Sequence, residues 1–203
     1  MNMLAIDCCL KLTGVALMTD DVFDSEQYDL GRQQSTELPL MTERIMHRNN
    51  LSFRDIDYAA LTSGPGYFTG IRVGAAYASG LAYASGAKII PVSSLDVLAR
   101  SFRKTGKILV LVYAGHGFVY ASCEGFLDAG EYSHEDILSW LNDNHDAEII
   151  SDDPERINMN QIAMHKVKPD MLSLCEIACE RINLAVSPMN LKISYYRAPQ
   201  GVN

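Results

Sequence analysis

Residues 63–74 read Ser63-Gly64-Pro65-Gly66-Tyr67-Phe68-Thr69-Gly70-Ile71-Arg72-Val73-Gly74. The run stands between a strand-like segment, 57–62, and a stretch of helical character, 69–85, that Gly86 closes. Gly64, Gly66 and Gly70 can take positive φ, and Pro65 fixes one turn position, so the run predicts a tight strand-to-helix turn. Such a turn can aim backbone N–H groups at an anion lying before the helix. It can equally serve only to pack the helix on its sheet, and glycine count alone favours that plainer reading.

The helix that follows is unusually bare. Gly70, Gly74, Ala78, Ala82 and Gly86 recur every fourth residue, and Ala75, Ser79 and Gly80 widen the stripe. Side-chain size sets how closely helices approach, so this face admits another backbone at short range. Glycine costs about 1 kcal/mol against alanine inside a helix, and a stripe carrying that cost points to a close contact. The contact is either a neighbouring helix of the same chain or a second polypeptide.

Working outward, 3–8 is a short apolar strand, 13–19 a second strand beyond a turn at 9–12, and 24–30 a more polar third with the character of an edge. Segment 33–47 places Leu38, Met41, Ile45 and Met46 at helical spacing. After the long helix come a strand at 88–92 and a helix at 93–102, with Ser93 or Ser94 as N-cap. Three meandering strands followed by alternating helices and strands predict a mixed α/β sheet with helices on its faces, an order that resembles the ribonuclease H-like fold. The second half repeats the theme more faintly. A hairpin is expected at 107–114 and 117–124, a third strand near 126–132, and a helix at 133–142 capped by Ser133 with Glu135 and Asp136 in its first turn. A strand at 147–151, a helix at 170–184 and a last short strand at 191–196 complete it. No repeat is visible in the residues themselves. The boundary is placed near 104–106, giving units 1–104 and 105–203.

Composition bounds the rest. The 203 residues are 48% apolar and 21% charged, a balance that builds a core and excludes a disordered chain. The longest apolar run, Ile108–Ala114, is far short of a membrane span, and the start, MNMLAID, lacks the basic opening of a signal peptide. Lys and Arg number 17 against 25 Asp and Glu, so the chain is a poor main grip on nucleic acid. Five cysteines, an odd number, suggest reduced thiols and a cytoplasmic setting, and adjacent Cys8 and Cys9 would point to opposite sides of a strand.

The run GPGYFTGIRVGAAYASGLA resembles the hallmark of the TsaB (YeaZ) family, whose pattern is close to GPGSFTGLRxGxxxAxGLA. Tyr67 departs from it clearly and Ile71 conservatively. The strand Leu4-Ala5-Ile6-Asp7 and the terminal Tyr195-Tyr196-Arg197 fit as well. The likeness is strong over the first half and looser over the second. It implies an α/β fold of two ribonuclease H-like lobes, as in the actin, Hsp70 and sugar-kinase superfamily, with the second lobe reduced. It also implies a non-catalytic paralogue of TsaD that works with TsaD and a TsaE-type ATPase in threonylcarbamoyl transfer to the adenosine beside the tRNA anticodon, touching tRNA only indirectly. Pairing with the TsaD-type paralogue, or with a second copy when alone, is implied through first-lobe helices. The residues expected there are Thr69, Gly70, Arg72, Val73, Gly74, Tyr77 and Ala78, with Leu38, Met41 and Ile45 from the preceding helix.

The same resemblance sets expectations for chemistry. TsaD-like metal binding needs two histidines one helical turn apart, and His47, His116, His134, His145 and His165 offer no such pair; this argues against a metalloprotease and for no catalytic or metal-binding residue. The superfamily places an acid at the end of the first strand of each lobe. Asp7 fills the first place, while the second falls near Tyr113, where relatives often carry Asp. One carboxylate is a poor holder of a divalent ion, and Cys8 and Cys9 are weaker phosphate donors than hydroxyls. Asp7 is thus at most a residual nucleotide site. No cofactor is expected beyond weak ATP or ADP binding at the partner interface. The competing reading is an independent nucleotide-binding or phosphoryl-transfer enzyme of the same superfold. His116 reads best as a hairpin tip, Cys175 and Cys179 as buried thiols on one helix face, and Asp20, Asp21 and Asp24 as a solvated turn.

Overall fold

The computed structural model describes residues 1–159, 161–194 and 196. Its first sheet is built around β1 (Met3–Asp7), apolar up to its last residue and buried throughout. Successive side chains of β1 enter different cores, Leu4 and Ile6 one, Met3 and Ala5 the other, so the strand is covered on both faces. β1 pairs antiparallel with β2 (Thr13–Met18) and parallel with β4 (Tyr58–Thr62). β3 (Phe23–Tyr28) joins β2 antiparallel and β5 (Lys88–Val92) joins β4 parallel, giving the order β3-β2-β1-β4-β5. The polar β3 lies at the edge, as its composition predicts. Its Asp24 and Glu26 take ion pairs from Arg48 and Arg44 of α1 (Gln34–Arg48).

α1 and α2 (Phe68–Ser85) cover one face, burying Leu38, Met41, Ile45, Ala78 and Ala82 against Leu4, Ile6 and Leu61. Full burial of a leucine or isoleucine contributes about 1.5–3 kcal/mol. The other face is covered by α6 (Met171–Glu180), which comes from the far end of the chain and packs Leu174, Cys175 and Ile177 on Met3, Ala16 and Ile90. Asp170 caps α6, its carboxylate accepting from the Leu172 N–H at 3.0 Å. Arg100, Arg103 and Arg181 pair across α3 (Ser94–Ser101) and α6 with Glu180, Asp170 and Asp96.

The second sheet consists of β6 (Ile108–Gly115), β7 (Phe118–Cys123), β8 (Leu127–Ser133), β9 (Glu148–Ser151) and β10 (His165–Lys166), ordered β8-β7-β6-β9-β10. Taken from β8, two antiparallel pairings are followed by two parallel ones, the pattern of the first sheet. α4 (His134–Asp143) and α5 (Pro154–Ile157) cover its outer face through Ile137 and Ile157. Its inner face meets α3 and the first half: Leu95, Leu98, Val110, Val112 and Ile150 pack with Cys9, Leu10 and Ile71.

Several expectations hold in detail. Ser93 caps α3, and Ser133 caps α4 in a reciprocal box with Asp136. His116 (φ 50°) and Gly117 (φ 81°) form the two-residue hairpin tip, with the positive φ pair of a type I′ turn. Two expectations fail. The helix expected over 170–184 stops at Glu180, and a separate 3-10 turn follows at Ile182–Leu184. Residues 191–194 form no strand: Ser194 makes one backbone bond, its N–H to the Ser63 carbonyl at 2.8 Å, and no ladder develops. Tyr195 and Arg197 lie outside the described residues. β10 and α5 have no counterpart in the expectation, because they are two and four residues long and too short for an apolar period to register. No helix among the described residues is long and apolar enough to cross a membrane.

Candidate functional site

The glycine-rich loop is held from both sides. The Ser63 N–H donates to the Val92 carbonyl at 2.9 Å, and the Ser94 N–H donates to the Gly64 carbonyl at 3.0 Å. The Ser94 hydroxyl donates to the Pro65 carbonyl. On the other side the Tyr67 N–H donates to the Cys9 carbonyl at 2.7 Å. This contact explains two glycines. A Cβ on Gly66 would lie 2.1 Å from the Cys9 carbonyl oxygen, and one on Gly70 would lie 1.9 Å from that of Cys8. The loop is therefore built to press against the turn after β1, and one of its N–H groups is already spent on that turn.

The bare stripe of α2 is explained the same way, and the idea of a stripe exposed for a partner is corrected here. Gly70, Gly74, Ala78 and Ala82 face inward. A Cβ on Gly74 would meet Cys8 and Leu61 at 3.3 and 3.4 Å. The close neighbour is the first sheet with its β1 turn, not a second helix. Leu38, Met41 and Ile45 of α1 are likewise fully buried in the core beneath both helices. Of the expected surface residues, Thr69 and Arg72 are exposed and Val73 and Tyr77 half-buried. The outer face of α2 also carries Ala76, Gly80 and Tyr83, the last 77% exposed, and Leu40 stands out from α1. The guanidinium of Arg72 lies 3.8 Å from the Phe68 ring centre.

Asp7 ends β1 beneath the loop, 1% exposed. One carboxyl oxygen accepts from the Cys9 N–H at 3.0 Å and the Thr62 hydroxyl at 2.7 Å. The other is buried without a hydrogen-bond partner among the described residues. Burial pushes the Asp7 pKa up to about 6, against the pull of those two bonds, and the charge of Asp152 adds to the rise. Asp152 follows β9, is buried, and accepts from the Lys11 N–H at 3.2 Å; burial raises its pKa too. A second acid therefore approaches Asp7 from the second sheet, from the end of β9 and not from the Tyr113 position. The sequence carries its signal in Ile149-Ile150-Ser151-Asp152-Asp153, an apolar strand ending in two acids. Asp153 pairs with the Lys11 ammonium at 3.5 Å.

Lys11 and Asp153 border a cleft of about 710 Å³ that is also walled by Arg32, Tyr67, Thr69 and Arg156. Its lining mixes charges of both signs with the hydroxyl groups of Ser35, Tyr67 and Thr69, a polar setting able to hold a small charged group. Cys8 and Cys9 enter different cores. The Cys9 thiol donates to the Thr62 carbonyl at 3.1 Å, and burial pushes both thiols upward, so neither is a nucleophile at neutral pH. Cys175 is buried against the first sheet, its thiol pushed up to about 12. Among the described residues no three His, Cys, Asp or Glu side chains gather as metal ligands.

Comparison with known proteins places this architecture. A Buchnera aphidicola protein, "tRNA threonylcarbamoyladenosine biosynthesis protein TsaB", is 29% identical over 81% of this chain and 73% of its own length. The Escherichia coli protein of the same name is 33% identical over 59% of the chain and 53% of its own length. The family model described as "TsaD: tRNA N6-adenosine threonylcarbamoyltransferase" matches residues 29–197. The chain belongs to the TsaB/YeaZ family. A crystal structure from Pseudomonas aeruginosa, described as an uncharacterized protein with similarity to peptidase YEAZ, superposes with a TM-score of 0.79 at 24% identity, covering 97% of this chain and 99% of that one. A second, titled YeaZ from the same organism, gives 0.76 at 20% identity and covers 96% and 99%. The YeaZ likeness fixes the fold as α/β with two mixed sheets. The matched part of the chain spans about half the length of the E. coli TsaB.

Proposed function

We propose that this chain is a non-catalytic partner subunit that binds a TsaD-type paralogue and supports threonylcarbamoyl transfer to the adenosine beside the tRNA anticodon. The observation that carries the reading is the likeness to relatives named TsaB, beside a family-model match over residues 29–197. In this reading the two sheets with matching strand order are two ribonuclease H-like lobes of the actin, Hsp70 and sugar-kinase superfamily, 1–104 and 105–203, with α6 handed back from the second to cover the first. The second lobe is the reduced one.

The docking surface we assign is the outer face of α2: Thr69, Arg72, Ala76 and Tyr83, flanked by Val73, Tyr77 and Leu40. A TsaD-type paralogue occupies it in the working complex, and a second copy of the chain occupies it in isolation. A TsaE-type ATPase joins that complex. Contact with tRNA passes through the partner, in keeping with 25 acidic against 17 basic residues. The complex works in the cytoplasm, and ATP or ADP binds this chain only weakly, at the partner interface. Asp7 suits this role: one of its carboxyl oxygens is committed to Cys9 and Thr62, and burial pushes its pKa up.

Arg72→Glu and Tyr83→Asp test the surface. Both side chains point away from the core, so thermal unfolding should stay within about 2 °C of the parent, while co-purification with the TsaD-type paralogue falls at least tenfold. Unchanged complex formation removes the interface. A threonylcarbamoyl-transfer assay with and without the chain tests the role itself. The alternative, an independent phosphoryl-transfer enzyme, draws on the buried pair Asp7 and Asp152. Phosphate release from Mg-ATP by the chain alone, lost in Asp7→Ala, would favour it.

A further inference from the structure

Tyr67 and Tyr113 lie 46 positions apart in the chain and on different elements, the loop before α2 and the strand β6. They meet at a single cation. The guanidinium carbon of Arg156, on α5, lies 4.7 Å from the ring centre of Tyr67 and 4.5 Å from that of Tyr113. A planar guanidinium between two rings satisfies the ring quadrupoles and its own charge together, which an ammonium does less well. Arg156 is exposed at the cleft wall and both tyrosines are half-buried, so solvent weakens each contact without removing it.

We propose that Tyr67, Arg156 and Tyr113 form one latch that ties the glycine-rich loop to the second sheet and sets the width of the cleft between the halves. Each member comes from a different element. Tyr113 does not reach the loop directly; it steadies Arg156, and Arg156 steadies Tyr67. Lys11 works beside the latch from the first half, its N–H on Asp152 and its ammonium on Asp153, the residue that opens α5. The latch also bears on the start of α2, because Tyr67 is the N-cap of that helix. This inference does not depend on the partner proposed above.

Hydrogen exchange at the Tyr67 amide, which is bonded to the Cys9 carbonyl, reads the latch in the full chain. Contacts of this kind at exposed sites contribute about 0.5–1 kcal/mol, a factor of about 2–5 in a local opening equilibrium. Tyr113→Ser should raise exchange at the Tyr67 amide by that factor, although the two residues are in different elements. The same substitution made in an Arg156→Gln background should raise it no further, since the connection is already cut. Tyr113→Phe, which keeps the ring, should stay close to the parent, and exchange in β1 should be unchanged throughout, which separates the latch from general unfolding. The proposal is overturned if Tyr113→Ser leaves the Tyr67 amide at its parental rate, or if it acts as strongly without Arg156 as with it.

Discussion

The two faces of α2 divide labour in a way that side-chain size alone does not predict. The inner face is glycine and alanine: Gly70, Gly74, Ala78 and Ala82 lie on the first sheet and on the Cys8–Cys9 turn, close enough that two of the four positions leave no ordinary room for a Cβ. The outer face is no bulkier at Ala76 and Gly80, yet an added Cβ on Gly80 meets nothing within 4 Å. Bareness therefore means opposite things on the two sides. Inside, it records a backbone at van der Waals distance. Outside, it records an absence of constraint from the chain itself, and the features that distinguish that side are Arg72 and Tyr83. A small-residue stripe identifies close packing; the polar and aromatic residues opposite it identify the surface.

The strongest test of this division is Gly70→Ala. Helix propensity favours alanine by about 1 kcal/mol, but the new methyl would sit 1.9 Å from the Cys8 carbonyl oxygen, and backbone on both sides of the contact must move. The expected result is a net loss of at least about 3 kcal/mol in urea unfolding. A variant as stable as the parent would mean that the loop and the β1 turn are not pressed together as described.

The turn under the inner face is pinned by Asp7 through the Cys9 N–H, which gives the next test a pH dependence. The Asp7 pKa is about 6 in the folded chain against an ordinary value of 3.8. A raised carboxyl pKa means that the folded state binds a proton more tightly than the unfolded one. The contribution of Asp7 to stability is then greatest below about pH 4, falls as pH rises through about 6, and is level above that. The full difference is about 3 kcal/mol. Asp7→Asn keeps an acceptor for Cys9 and Thr62 and removes the charge. Between pH 4 and pH 7.5 its stability should rise relative to the parent by up to that amount, with Asp152 contributing a residual slope of the same sign in both proteins. Parallel stability curves for the two proteins would show that Asp7 carries no such burden.

Much of this was legible in the residues. β1, β2, β4 and β5 follow from short apolar runs, and α1 from the spacing of Leu38, Met41 and Ile45, because each element is long enough for its period to register and buries one face or both. The caps Ser93 and Ser133 and the hairpin tip at His116 were legible for the same local reason. What escaped was either short or remote. β10 has two polar, exposed residues and depends on β9 for its existence. The destination of α6, and the approach of Asp152 toward Asp7, follow from how the two sheets are set against each other, which no local pattern encodes. The stripe on α2 was legible as a close contact but not as to what it contacts; the sheet and β1 turn took the place given to a helix or a partner. Leu38, Met41 and Ile45 were correctly read as one helix face and wrongly placed on a surface, since amphipathicity reports an apolar neighbour without naming the chain that supplies it.

The mildest test works from the outer face. Gly80 lies within α2 with open space where its Cβ would be, and its φ is not positive. Gly80→Ala should therefore realise the ordinary helix preference and stabilise the chain by up to about 1 kcal/mol, partly by narrowing the unfolded ensemble. The methyl adds little bulk to the docking surface proposed above, so binding to the proposed TsaD-type partner should hold within about twofold. If the substitution stabilises the isolated chain but weakens the complex tenfold or more, the outer face is as tightly packed in the complex as the inner face is in the chain. Gly80 would then be kept for a partner's backbone, and the contrast between the two sides of α2 would belong to the free subunit alone.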